Sequence, residues 1–69
     1  MNYESWISRK INSGQEATIS LALLEKLFNL PPEIPELLHI EFWAKGVCKR
    51  LGCTSKIHFP SDVITFYPR

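Results

Sequence analysis

The chain has 69 residues, of which 45% are hydrophobic and 22% charged, and its formal net charge is +1. That apolar content excludes an intrinsically disordered chain. The longest apolar run, Leu21 to Leu24, falls far short of the ~18 residues that cross a bilayer, and two cysteines are too few for a disulfide framework. The expectation is a single small domain, 1–69, with no membrane partner. The first ten residues carry an acid early and contain no apolar signal core, so a cytoplasmic location is expected.

In chain order, Tyr3, Trp6, Ile7 and Ile11 recur at helical spacing, with Asn2 as an N-cap. Asn12-Ser13-Gly14 breaks the pattern, which predicts a first helix over about 3–12. Ala17-Thr18-Ile19-Ser20-Leu21 then alternates apolar and polar. A short strand over 17–20 and a simple lead into the next helix both fit this segment. Ser20 suits an N-cap, and Ile19 is placed to staple onto Leu24. Leu23, Leu24, Leu27 and Phe28 give a second apolar face, ended by Asn29 and the Pro31-Pro32 pair.

A third helix is expected from Pro35, whose missing N–H costs nothing at the first helical position. Leu37, Ile40, Ala44, Val47 and Leu51 follow a three-four spacing, and Gly52 is a natural stop. Gly46 inside the run costs ~1 kcal/mol against alanine. The continuous helix is nevertheless preferred to one that ends there. Lys56 to Phe59 and Val63 to Tyr67 are rich in β-branched and aromatic residues around Pro60-Ser61-Asp62, which predicts a β-hairpin with proline at the second position of a type I turn. The predicted class is α+β: three helices followed by a C-terminal β-hairpin.

This element order resembles that of winged-helix DNA-binding domains, with Ser20 to Pro31 placed like the second helix and turn. The resemblance rests on order, not on a sequence motif. It implies that the third helix enters the major groove and that the hairpin forms the wing. The chain departs from the pattern at that helix, where Leu37, Leu38, Ile40 and Phe42 stand in place of a polar reading surface.

Charge is unevenly spread. Residues 1–41 hold three bases (Arg9, Lys10, Lys26) against six acids, whereas residues 42–69 hold five bases against Asp62 alone. Lys45, Lys49 and Arg50 fall late in the third helix and Lys56 opens the hairpin. These four are the candidate nucleic-acid-binding residues of a small DNA-binding transcriptional regulator. Cations near a helix C-terminus also suit its dipole without any partner.

A second reading comes from the third helix itself. Leu37, Leu38, Ile40, Phe42, Trp43, Ala44, Val47, Cys48 and Leu51 spread around most of its circumference. A helix apolar nearly all round needs cover on several sides, more than two short helices and a hairpin supply. The expectation is a homodimer or a protein partner held through Phe42, Trp43, Ile64 and Phe66, with the last strand as an edge open to pairing. An adaptor or inhibitor is thus the alternative to the DNA-binding regulator.

Chemistry has less support. His39, Cys48, Cys53 and His58 are the residue types that tetrahedral zinc takes. Their spacing is at the loose limit for a zinc knuckle, and Cys48 reads equally as a small buried hydrophobe. No metal site and no cofactor are expected. His39 and Glu41 point to different sides of a helix, Ser61-Asp62 belongs to a turn, and no phosphate loop or nucleophile elbow is present. Enzyme activity is not expected.

Overall fold

A computed structural model describes residues 3–28 and 36–69 of the chain. Its elements are α1 (Tyr3–Asn12), β1 (Ala17–Ser20), α2 (Leu21–Phe28), α3 (Glu36–Leu51), β2 (Thr54–His58) and β3 (Val63–Tyr67). The expected cap at Asn2, the stop at Asn29 and Pro31-Pro32, and the start at Pro35 lie outside the described residues.

Both long helices end for the same physical reason. A glycine with positive φ turns the chain so that the next amide can reach back to a helical carbonyl. At the end of α1, Gly14 has φ 74°, Gln15 N–H donates to the Lys10 carbonyl at 2.9 Å, and Gly14 N–H donates to Ile11 at 3.0 Å. At the end of α3, Gly52 has φ 68°, and the amides of Gly52 and Cys53 both donate to the Cys48 carbonyl, at 2.8 and 3.1 Å. Gly46 does not interrupt α3, which runs unbroken to Leu51.

The short alternating segment after Gly14 is a strand, and it changes the topology. The sheet has the order β1-β3-β2 and is antiparallel throughout. Ala17 lies opposite Phe66 and Ile19 opposite Ile64 on one side; Ser55 and Ile57 face the same two residues on the other. Because side chains alternate between faces, this register gathers Ala17, Ile19, Ile57, Ile64 and Phe66 beneath the helices. The opposite face carries Thr18, Lys56, His58, Thr65 and Tyr67. There the Thr18 and Thr65 hydroxyls are 3.0 Å apart and His58 Nε2 lies 2.8 Å from the Tyr67 hydroxyl.

Two expectations are corrected here. The last strand is not an edge: β3 is the middle strand, paired on both sides. Ile64 and Phe66 therefore form no partner surface, being 1% and 0% exposed at the centre of the core. The hairpin also starts earlier than expected, at Thr54, and releases Phe59 into its loop.

The core joins these two residues to Ile7 of α1, Leu24 of α2, and Ile40, Ala44 and Val47 of α3. Ile19 and Leu24, the expected staple pair, are both buried in it. Trp43 packs edge-on against Phe28 and Phe66, with ring centroids at 5.6 and 5.7 Å. Among the described residues no buried side-chain nitrogen or oxygen lacks a hydrogen-bond partner.

Phe66 and Phe42 provide a paired test of this arrangement, since one is sealed and the other 67% exposed. Phe66→Ala is expected to cost ~3–5 kcal/mol in urea unfolding, and Phe42→Ala to stay within ~0.5 kcal/mol of the native chain. Comparable losses for the two would contradict the packing described.

Candidate functional site

The surface with the most unexplained chemistry is formed by α3 and the hairpin. Residues Ile40, Ala44 and Val47 turn α3's inner face to the sheet. Helical spacing then presents Leu38, Phe42, Lys45 and Lys49 outward in a single stripe, and all four are exposed. Leu37 and Leu38 are 40% and 47% exposed, and Phe59, in the hairpin loop, is 63% exposed. The apolar excess predicted for α3 is thus real at Leu37, Leu38 and Phe42 and absent at Trp43, whose ring is committed to Phe28 and Phe66.

Two grooves flank Phe59. The first, of about 520 Å³, lies between the starts of α2 and α3 and the hairpin loop; Leu37, Phe59, Glu25 and Asp62 are among its walls. The second, of about 440 Å³, lies between α3 and β2; its walls include Glu41, Ala44, Lys45, Lys56, Ile57 and Phe59. The loop that carries Phe59 is fixed from behind. Asp62 adopts φ 53°, a left-handed conformation that aspartate tolerates better than most residues, and its carbonyl accepts the Leu21 amide at 3.0 Å. The Phe59–Pro60 peptide is cis.

The charge asymmetry of the sequence becomes a gradient along this surface. Glu25, Glu41 and Asp62 stand toward the start of α3, whereas Lys45, Lys49 and Lys56 stand toward its end. These three lysines make no ion pair among the described residues.

Arg50 does not join them. Its guanidinium donates from Nε to the Glu4 carboxylate, at 2.9 and 3.1 Å to the two oxygens, and from Nη2 to Oε1. A guanidinium held in this way is turned to the Glu4 carboxylate of α1, while its side chain stays 56% exposed. Gly46 leaves room for it, since a Cβ there would lie 3.2 Å from the Arg50 Nη1. The Arg50 hydrogen bonds hold the Glu4 carboxyl below its ordinary pKa.

The four candidate zinc ligands are not brought together. Cys48 and Cys53 are neighbours at the end of α3, where burial and the Cys48 thiol push the Cys53 thiol up to about 11. His39 packs edge-on against Phe28 at 4.9 Å, and His58 bonds Tyr67 on the far face of the sheet. Among the described residues no three His, Cys, Asp or Glu side chains converge on a point a metal ion could occupy. No helix among them is long and apolar enough to cross a membrane.

Sequence reasoning missed Phe59 as a surface residue because it read the aromatic ring as part of the strand. It also missed Glu4, since nothing local links residues 46 positions apart. Comparison of the chain with protein-family models, curated protein sequences and solved structures gave no match.

The Glu4–Arg50 pair predicts a pH dependence whose sign follows from the lowered carboxyl pKa. Its stabilising contribution is present above the ordinary carboxylate range and lost as pH falls through the depressed value. Glu4→Gln should therefore unfold at lower urea than the native chain at pH 7. The gap should close in acid and shrink in high salt, as expected for an exposed pair. An unchanged gap at low pH would separate the effect from Glu4 ionisation.

Proposed function

We propose that this chain is a protein-interaction module whose contact surface is the outward face of α3 together with the hairpin. The observation that carries this reading is the exposure of Leu37, Leu38 and Phe42 on α3 and of Phe59 in the hairpin loop, beside lysines that make no ion pair among the described residues. Large apolar residues clustered at a surface mark contact sites, and their energetic centre is usually aromatic. Phe42 is the natural anchor. Lys45, Lys49 and Lys56 form a polar rim that sets partner charge and encounter rate.

A nucleic-acid reading is favoured by a different observation. The element order resembles that of winged-helix domains, which on this reading would use α3 as the groove-entering helix and the hairpin as the wing. Against it stands the chemistry of α3's first half, where Leu38, Glu41 and Phe42 offer no donor to a base edge and a carboxylate faces outward. Three lysines also set a modest ceiling. Neutralising three phosphates gives a salt slope of about −3, or roughly 40-fold weaker binding between 50 and 200 mM salt.

Phe42→Asp separates the two. The variant should fold normally, because the ring it replaces is exposed. It should lose the proteins that the native chain retains from its own cells, while Lys26→Glu on the outer side of α2 keeps them. In parallel, fluorescence anisotropy with random-sequence duplex should show binding no tighter than ~10⁻⁴ M at 150 mM salt. Micromolar duplex binding that survives Phe42→Asp and disappears with Lys45→Glu and Lys49→Glu would replace the protein-binding reading with the DNA-binding one.

A further inference from the structure

The sheet leaves β2 with one unpaired side. β3 occupies its inner edge, and no other described backbone segment bonds its outer edge. Such an edge presents a row of free N–H and C=O groups that an extended segment can complete. Beside it lies the groove between α3 and β2, with an apolar floor at Ala44 and Ile57 and an aromatic end at Phe59. Its volume suits two or three side chains.

Resting on the protein-binding reading above, we propose that this edge takes an acidic, alternating peptide segment as a fourth strand. The charges select that occupant. Side chains of an added strand alternate between the two faces of the sheet. On the groove face they meet Ile57 and Ala44 and then Lys45; on the opposite face they meet Lys56. A segment with carboxylates opposite Lys56, and with groove-facing residues that are apolar except for one terminal carboxylate beside Lys45, satisfies both. Glu41, one turn before Lys45, repels an acid at the Phe59 end. The carboxylate that meets Lys45 therefore lies toward the Thr54 end, and the apolar anchor toward Phe59.

A second copy of the chain is the poorer occupant. Lys56 is the middle residue of β2, so antiparallel pairing of two β2 edges about their centres would set Lys56 against itself. Like charges directly opposite in a sheet are destabilising. The same lysine thus guards the edge against self-association and admits an acid.

The test is an amide chemical-shift titration of the full chain with a synthetic heptapeptide alternating Val and Glu, one terminal Val being replaced by Glu to meet Lys45. Its controls are the same pattern in Val and Lys, and the acidic peptide N-methylated on either alternate set of residues. The expected result is shifts confined to 54–59 and to α3 around Glu41, Ala44 and Lys45, with binding weakened at least tenfold by Lys45→Glu with Lys56→Glu. N-methylation of one alternate set, the one facing β2, should weaken it as much, and the Lys peptide should not bind. Equal loss from both N-methylated sets, or retention by both, would overturn strand addition. Shifts centred on Leu38 and Phe42 with β2 unmoved would overturn this site while leaving the protein-binding reading intact. Duplex DNA displacing the peptide, with no protein partner lost on Phe42→Asp, would remove both.

Discussion

The pairing of β3 on both of its sides is the constraint from which the rest of the molecule follows. A strand hydrogen-bonded along both edges has its register set twice, once by β1 and once by β2. With period-two alternation, a slip of one residue would turn Ile64 and Phe66 out of the core and move Thr65 from its buried contact with Thr18 to the apolar face. Every helix then takes its position from these two side chains. Ile7, Leu24, Ile40 and Val47 meet over them, and Trp43 closes the side of the cluster against Phe66. A domain of this size has little core to spare, so the placement of one strand decides the orientation of all three helices.

The polar contacts then refine that placement. The Leu21 amide bonded to the Asp62 carbonyl continues the β1–β3 ladder into the first turn of α2, so the hairpin loop and the helix start move as one body. This is what holds Phe59 out beside Leu37. At the other end of the molecule, Arg50 reaches over Gly46 to Glu4 and ties the last turn of α3 to the first turn of α1. Both partners are solvated, and an exposed pair adds little to stability. The outward stripe of α3 carries lysines alone, since Arg50 lies about 100° further round the helix toward Glu4, and lysines are point charges without the fork that grips phosphate in two places.

Much of the architecture was legible because it is local. The positions of all three helices follow from three-four apolar spacing, with glycines closing α1 and α3, and Gly52 ended α3 where the sequence said it would. Gly46 proved harmless to the helix because burial of Ala44 and Val47 on one side outweighs a propensity cost of about 1 kcal/mol. The strand at Ala17–Ser20 was legible only as one of two readings, since four residues of alternation carry too little information to decide. Its partner was not legible at all. Pairing with Val63–Tyr67 closes a loop of more than forty residues, and no local signal announces a contact of that range. That single omission turned a middle strand into an expected edge and placed Ile64 and Phe66 on a surface. The same holds for Arg50, whose partner lies at the opposite end of the chain.

On the proposed reading, the surface left over serves recognition of a protein partner with an apolar centre. Leu38 and Phe42 share a stripe with Lys45 and Lys49, so burying the first pair against another molecule necessarily brings the second pair to its margin. A nucleic-acid partner would reward the lysines and be indifferent or averse to the aromatic ring and to Glu41. A protein partner with an apolar centre and acidic flanks would reward all of them. In the strand-addition proposal, the gradient of charge along α3 gives such a partner a direction as well, with its groove-facing carboxylate at the Thr54 end and its apolar anchor at the Phe59 end. A surface proposed to select composition, polarity and orientation together is more demanding than a patch of exposed carbon, and its layout follows from the register of β3, which leaves β2 at the edge of the sheet.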